Sequence, residues 1–372
     1  MKKIGITGQN GFVGSHLYNT LGLAPDKYER VYFKREFFDI PEKLDDFVSQ
    51  CDVIVHLAAM NRHPDPEAIY HNNIELVTKL ISSLEKTGSK AHIIFSSSSQ
   101  EEKDNLYGKS KKEGRELLAN WAENAGGKFT GMVIPNVYGP FGKPNYNSFI
   151  ATFCYKLTHG EKPTIDNDGE VKLIYVAELV KEIIGKIESE QSDILYEVPN
   201  TSVNKVSEVL EKLENYKDLY FDKGEIPVLE NTFDLNLFNT FRCYFDVKDH
   251  YPVKFTQHTD PRGAFVEVIR LGIGGQCSFS TTVPGITRGN HFHTRKIERF
   301  AVIKGKALIQ LRKIDTEEVL DFYLDGEEPA YVDMPIWYTH NIKNIGEEEL
   351  YTIFWINEPF NPEDADTYFV EV

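Results

Sequence analysis

The chain has 372 residues, enough for two domains at the usual ~100–200 residues each. Its 41 Lys and Arg stand against 57 Asp and Glu, so the net charge is −16 and the basic footprint of a nucleic-acid binder is missing. Hydrophobic residues make up 41 %, too many for a disordered chain, and no apolar run reaches the roughly 18 residues of a spanning helix.

The opening MKKIGITGQNGFVG lacks the long apolar region and cleavage site of a signal peptide. Four scattered cysteines, Cys51, Cys154, Cys243 and Cys277, form no CxxC pair, which suits a reducing cytoplasm. KIGIT (3–7) reads as a strand and FVGSHLYNTLG as a helix. RVYF (30–33), DVIVHLAA (52–59) and HIIFSS (92–97) read as further strands, and PEAIYHNNIELVTKLISSLEK carries apolar residues at helical spacing. This alternation predicts an α/β, Rossmann-type, doubly wound parallel sheet. From about Lys248 the rhythm changes to short apolar segments broken by Gly, Pro, Asp and Asn: FVEVIRLG, FSTTVPG, ERFAVIKGKALIQLRK, EVLDFYL, AYVDM and LYTIFWINE. Such a series predicts an all-β barrel or sandwich, with domains at 1–245 and 246–372.

The turn Thr7-Gly8-x-x-Gly11-Phe12-Val13-Gly14 sits between strand and helix. Glycine there permits a tight turn and close approach of a pyrophosphate to the helix N-terminus. An NAD site would place an acid at the end of the second strand. Lys34 and Arg35 stand there instead, which favours the 2′-phosphate of NADP(H); the alternative is two solvated surface charges. Tyr107 and Lys111, at i and i+4, share a helix face. A neighbouring ammonium is expected to lower the phenol's pKa, toward use in proton transfer. Ser98, directly after HIIFSS at the strand's end, is in position to hydrogen-bond the same substrate oxygen.

With these pieces together, residues 1 to about 240 resemble an extended short-chain dehydrogenase/reductase acting on nucleotide sugars. TGQNGFVG, His56-Leu57-Ala58-Ala59, Asn73, FSSSS, YGKSK, PNVYGP (135–140) and LIYVAELV (173–180) occur in family order. The resemblance implies a catalytic set of Ser98, Tyr107 and Lys111, with Ser97 as the fallback in a run of serines. Tyr107 would protonate a keto oxygen while NADPH delivers hydride, and Lys111 would also hold the nicotinamide ribose. It further implies that Asp39 contacts adenine and that Leu57, Ala58 and Ala59 line the cofactor. Ser99-Gln100 stands where the family's dehydratases carry an acid pair, leaving a keto-reductase or 4-epimerase. Val133-Ile134 departs from the family's Arg-Pro before PNVYGP.

In the β-rich part, Gly285-x5-His291-x-His293-x4-Glu298-x6-Gly305 precedes Pro335-x4-His340-x3-Asn344. Alternation along a strand would point His291 and His293 to one face, and Glu298 and His340 would complete an N3O set. Such a set suits Zn, Fe, Ni or Mn; a divalent ion, zinc first, is expected, with a purely structural ion as the alternative. The array resembles the cupin (jelly-roll) pattern, except that Trp337 replaces the usual Gly between Pro and His, which leaves that loop's shape open. DPRGAFVE (260–267), Gln276-x-Ser-x-Ser280 and Gly285-x-x-Arg288-Gly-x-His291 further resemble sugar-nucleotide 3,5-epimerases. That resemblance makes His291 the base and Arg288 a substrate contact. Here His293 and Glu298 replace a Gln and a Lys, so a metal would take over the electrophilic role. If His291 binds the ion it is not the base, and His258, Lys296, Tyr338 and His340 become the candidates.

A reductase joined to a cupin resembles enzymes of capsular polysaccharide precursor synthesis. Those epimerise C3 of a UDP-4-keto-6-deoxy-2-acetamido sugar and then reduce C4, toward a UDP-6-deoxy-L-talose-type sugar on the route to UDP-N-acetyl-L-fucosamine. The open alternatives are a reductase whose cupin only binds sugar or supports structure, an NAD-retaining 4-epimerase, and a non-enzymatic sensor. A cytoplasmic homodimer without nucleic-acid or membrane partners is expected.

Overall fold

The structure is a computed structural model. It describes every residue except Asn147, Glu190 and Arg262, and for residues 263–265 the backbone alone. The chain divides into two compact units, Met1–Thr152 with Ile165–Val206, and Phe153–Thr164 with Ser207–Val372.

The chain opens with β1 (Lys2–Thr7), α1 (Phe12–Gly22), β2 (Tyr28–Val31), α2 (Pro41–Gln50), β3 (Val53–His56), α3 (Pro66–Thr87), β4 (His92–Ser98), α4 (Leu106–Ala125) and β5 (Lys128–Ile134). It continues through β6 (Asn136–Tyr138), α5 (Phe149–Thr158), β7 (Glu170–Tyr175), α6 (Val176–Glu188), β8 (Asp193–Glu197) and β9 (Ser202–Lys205). In the first unit β2-β1-β3-β4-β5-β8 form a sheet whose pairings are all parallel, and β6-β7-β9 form a smaller one. A parallel sheet is covered on both faces, and its central strands are accordingly buried through Ile4–Thr7, Val53–His56 and His92–Phe95. Ile54 and Ile93 face Leu80, Leu84, Leu118 and Trp121 of α3 and α4. Val53, Val55 and Ile94 face Leu17, Leu21, Leu179 and Ile183 of α1 and α6. The strand order reverses between β1 and β3, and ligands bind such sheets outside the strands' carboxyl ends at that reversal. The strand expected at 30–33 lies earlier: the ladder ends at Val31 opposite Gly5, after which Tyr32 turns to solvent and Phe33 enters the core.

The second unit carries α7 (Val206–Tyr216) from Ser207 onward, α8 (Thr232–Phe241), the short α9 (Val247–His250) and a β-rich remainder. Its strands are β10 (Val253–Lys254), β11 (Gln257–Asp260), β12 (Gly263–Val266), β13 (Gln276–Thr282), β14 (Thr287–Phe292), β15 (Glu298–Lys304) and β16 (Lys306–Lys313). β17 (Val319–Asp325), β18 (Ala330–Met334), β19 (Tyr338–Asn344), β20 (Leu350–Ile356) and β21 (Tyr368–Phe369) follow. β10-β18-β15-β20-β13 and β17-β16-β19-β14-β21 are two antiparallel sheets, the all-β arrangement expected of a cupin. Along β16, Ala307, Ile309 and Leu311 are buried while Lys306, Gln310 and Arg312 are not, the period of a one-sided strand. The apolar run 265–272 is not one strand: beyond Val266 its backbone turns to the 226 loop, where Arg270 O accepts from Ile226 N (3.1 Å) and Ile226 O from Gly272 N (2.7 Å).

A buried polar network ties the helices of this unit to its strands. Tyr220, on a π-helical turn (Lys217–Asp222), donates to Asp333 (2.8 Å) and bonds Tyr251 (2.8 Å). Arg299 binds Asp333 through two bonds of 2.7 and 2.9 Å, and Arg242 donates to Met334 O (2.9 Å).

Candidate functional site

The first unit offers a cleft of about 550 Å³ at the β1–β3 reversal. Gly8 turns the chain after β1 with φ +78°, and a Cβ there would lie 2.9 Å from Ala58 N. A Cβ on Gly14 would lie 2.2 Å from Gly8 O, so only glycine lets α1 start this close to the turn. Gly11 caps α1 without a side chain, leaving the first-turn N–H groups of Phe12, Val13 and Gly14 available to an anion. Gly8, Gly11, Arg35, Asp39, Ala58 and Ala59 line the cleft. Leu57 N bonds Thr7 O (3.1 Å), holding the second wall beside the first. Lys34 does not line it: its ammonium sits 5.7 Å from the Tyr32 ring centre, and the Tyr32 hydroxyl raises its pKa. His56 is fully buried, bonds Thr7 (2.8 Å) and is pushed down to about 3 by burial and then by Lys111, so it is neutral.

At the end of β4, Ser98 shares a hydrogen bond with the Tyr107 phenol. Ser97 points elsewhere and donates to Glu101, which is held by Arg115 at 2.9 Å. Asn105 caps α4 by accepting from Gly108 N (2.7 Å). A Cβ on Gly108 would stand 2.0 Å from Gln100 O, so the glycine of YGKSK allows α4 to press onto the turn after β4. Lys111 is buried one turn on, its Nζ 3.4 Å from Ser96 Oγ and 6.0 Å from the Tyr107 ring centre. The expected lowering of the phenol's pKa is not found. Burial outweighs the Ser98 bond and pushes Tyr107 up to about 12, while burial pushes Lys111 down to about 7. Tyr107 is therefore a protonated acid at neutral pH.

In the second unit His291, His293, Glu298 and His340 converge, one ligand atom from each lying within 4.8 Å of the others. Glu298 Oε2 is 3.2 Å from His293 Nε2, 3.1 Å from His340 Nε2 and 4.0 Å from His291 Nε2. The ladder does not hold both histidines as expected. β14 is bulged at Gly289–Asn290 and ends at Phe292, so His293 lies just beyond it. Each ring is fixed from behind by a backbone carbonyl: Gly289 for His291, Asp366 for His293 (2.6 Å) and Tyr338 for His340 (3.2 Å). Trp337, standing where the cupin pattern has Gly, adopts a left-handed φ of +63° and stacks on Phe292 at 5.4 Å. Burial pushes His291 down to about 4. Burial favours a neutral Glu298, but bonds to His293 and His340 hold its carboxyl well below the usual range. His340 is fully buried, its Nε2 directed at the Glu298 carboxylate 3.1 Å away. Three inward imidazole nitrogens and a carboxylate are the donor set of a divalent ion, and they fit one here.

Arg288 donates to Thr282 Oγ1 and Thr281 O, each at 3.0 Å. Of the substitute bases, His258 is exposed in a groove beside Lys223 and Arg270, while Lys296 donates to Ala365 O (2.7 Å). Tyr338 is held well above its ordinary pKa by burial, with Cys243 and Asp246 nearby. In DPRGAFVE, Arg262 and the side chains of residues 263–265 lie outside the described residues.

Residues 4–196 match the NAD dependent epimerase/dehydratase family, and residues 258–368 match the polysaccharide biosynthesis C-terminal domain. The chain is 35 % identical to the capsular polysaccharide assembling protein CapF of Staphylococcus aureus, all of each chain being covered, with a TM-score of 0.62. It is 32 % identical to UDP-2-acetamido-2,6-beta-L-arabino-hexul-4-ose reductase of Pseudomonas aeruginosa, covering 100 % of this chain and 99 % of that protein. It is also 28 % identical over 123 residues to the spore coat polysaccharide biosynthesis protein SpsL of Bacillus subtilis, covering 30 % of this chain and 82 % of that protein.

The chain belongs to the NAD dependent epimerase/dehydratase family. Membership implies a nicotinamide cofactor, and the glycine turn fits one, since a side chain at Gly8 or Gly14 would clash with neighbouring backbone. Among the described residues no helix is long and apolar enough to cross a membrane.

Two residues lining the cleft of this family member, Lys79 and Tyr146, escaped the motif reading. Lys79 lines the cleft and pairs with Glu75 (2.7 Å) and Asp39 (3.7 Å). Asn72, Glu75, Leu76 and Lys79 fall at i, i+3, i+4 and i+7, a legible face of α3, but nothing local says what that face meets. Tyr146 lines the same cleft and acts on Tyr107. Asn73, a motif match without an assigned role, is buried and accepts from Met60 N (2.6 Å) while donating to Ser110 (3.0 Å), tying the cofactor loop to α4.

Proposed function

We propose that this chain epimerises C3 of a UDP-4-keto-6-deoxy-2-acetamido-hexose in its cupin and reduces the C4 ketone with NADPH in its dehydrogenase part. The product is then a UDP-6-deoxy-L-talose-type N-acetyl sugar, on the route to UDP-N-acetyl-L-fucosamine in capsule synthesis. The observation that carries the reading is that one chain holds both a Ser98–Tyr107–Lys111 set beside a dinucleotide cradle and a four-ligand cluster in a cupin. The names of the Pseudomonas reductase and of CapF support the sugar and the pathway. The reductase is assigned to 1–245 and the epimerase to 246–372, although residues 207–245 pack in the second compact unit. A cytoplasmic homodimer completes the proposal.

NADPH, held at Gly8–Gly14, Arg35, Asp39 and Leu57–Ala59, supplies the hydride when bound. Tyr107 gives its proton to the C4 oxygen, a role suited to a phenol that burial keeps protonated. Ser98 holds the phenol oxygen, and Lys111 beneath it carries the nicotinamide ribose. In the cupin, an ion held by His291, His293, Glu298 and His340, zinc first, supplies Lewis acidity that makes the C3 hydrogen more acidic. Arg288 lies three residues from His291 and contacts the substrate. His291 carries two expectations, base and ligand. Gly289 occupies one side of its ring, so a single lone pair remains and serves one role at a time.

The decisive experiment incubates the protein with a UDP-4-keto sugar in deuterated water, with and without NADPH, and follows C3 and C4 by NMR. Deuterium at C3 without NADPH, and reduction at C4 with it, is the expected result. Reduction without any C3 exchange leaves a reductase with a structural or sugar-binding cupin. Failure to oxidise NADPH with any keto nucleotide sugar ends the proposal. Exchange that falls as Zn2+ is added assigns His291 as base; exchange that rises assigns it as ligand.

A further inference from the structure

An imidazole offers a lone pair to a metal when its other nitrogen carries the proton, and that proton needs an acceptor. For His293 the acceptor comes from 73 residues away: the Asp366 carbonyl lies 2.6 Å from Nδ1. A carbonyl only accepts, so Nδ1 carries a proton, and Nε2, which donates to Glu298 at 3.2 Å, is the nitrogen that an ion would take in place of its proton. Asp366 is itself buried and takes a left-handed φ of +43°, uncommon for a residue with a side chain. Its carboxylate is fully engaged by the loop that follows His293. Oδ1 accepts from Thr294 Oγ1 (2.6 Å) and Thr294 N (3.1 Å), and Oδ2 from Arg295 N (3.0 Å) and Lys296 N (3.1 Å). On the other side of the ligand pair, β21 pairs with β14, placing Phe369 opposite His291 and Tyr368 opposite Phe292. The sheet ladder stops at Phe292, so the ladder does not orient His293; the carboxy-terminal segment does.

We infer that Asp366 is a positioning residue of the metal centre: its carbonyl sets the tautomer of His293, and its carboxylate clamps residues 294–296 so that this carbonyl stays in place. The carboxy-terminal segment is thereby part of the centre. The inference rests on the metal reading above.

The test uses the full-length protein, stripped with EDTA and reloaded with Zn2+ against a chromophoric chelator, then separately with Co2+, whose visible spectrum reports ligand geometry. Wild-type protein that binds no ion refutes the metal reading, and this inference with it. Where wild type binds, Asp366→Ala is expected to weaken Zn2+ about 10–100-fold, the usual effect of losing a group that orients a ligand, and to alter the Co2+ spectrum. Asp366→Asn, which keeps one acceptor oxygen, is expected to weaken binding less. Asp364→Asn, on an exposed partner of Arg295, is expected to leave both readouts unchanged. A folded Asp366→Ala protein with wild-type Zn2+ affinity and Co2+ spectrum overturns the inference while leaving the metal reading intact. Should Asp366→Ala fail to fold, unchanged affinity and spectrum in Asp366→Asn overturn it equally.

Discussion

Burial drives Tyr107 and Lys111 in opposite directions, up to about 12 and down to about 7. The lysine carries a consequence for stability. Between pH 7 and its ordinary value of 10.5, folded Lys111 binds fewer protons than the unfolded chain does, so stability rises with pH across that window. Below about pH 7 the burial penalty is present in full. Lys111→Met should therefore melt above wild type at pH 6, with the gap shrinking by pH 9; a gap that is flat or grows with pH would contradict the shift. The two cations after β2 are also separated by the fold. Arg35 lines the cleft and Lys34 lies over Tyr32, so Arg35→Ala should raise the NADPH Michaelis constant about tenfold or more, as the loss of a charge-assisted hydrogen bond does. Lys34→Ala should leave it nearly unchanged, and NADH kinetics should move with neither.

At the scale of elements, function depends on where helices and strands begin and end. Helix α4 starts against Gln100 O because Gly108 has no side chain. Gly108→Ala must push that helix start away, carrying Tyr107 with it. Since displacement of a reacting group by an ångström costs on the order of 100-fold, kcat for reduction should fall by about that factor while NADPH affinity holds. Loss of both together would mean that the helix has unfolded rather than shifted. The cupin's second ligand strand makes the opposite choice. Trp337 accepts a left-handed backbone, a cost of roughly 1–2 kcal/mol, in exchange for a buried ring stacked on Phe292. A bulky residue thus takes a backbone conformation that glycine adopts without strain, and His340 still reaches the cluster.

At the scale of the whole molecule, the two proposed sites lie in separate compact units. Tyr107→Phe should abolish NADPH oxidation and spare deuterium exchange at C3; loss of both from the one substitution would refute the division. The second unit depends on its charged core. Asp333 neutralises Arg299 and faces Arg242, all three buried, so Asp333→Asn should destabilise that unit by about 3–5 kcal/mol in urea or thermal unfolding, because it leaves buried guanidinium charge uncompensated. Wild-type stability in this variant would mean that water reaches the network. How much of this was legible in the sequence follows from the range of each interaction. The glycine turn, YGKSK and the His-x-His-x4-Glu spacing report contacts within a few residues or a strand-to-helix period, and those patterns carried the fold class and the candidate residues. Side-chain chemistry along one element cannot report what arrives from 40 or 70 residues away. So which serine faces Tyr107, the placing of Lys34 over Tyr32, the direction of the Tyr107 shift and the Asp366 carbonyl behind His293 followed only from distant segments packing together. The amino-acid order determined which groups could act; burial and backbone placement, which are properties of the folded chain, decided which of them meet and in what protonation state.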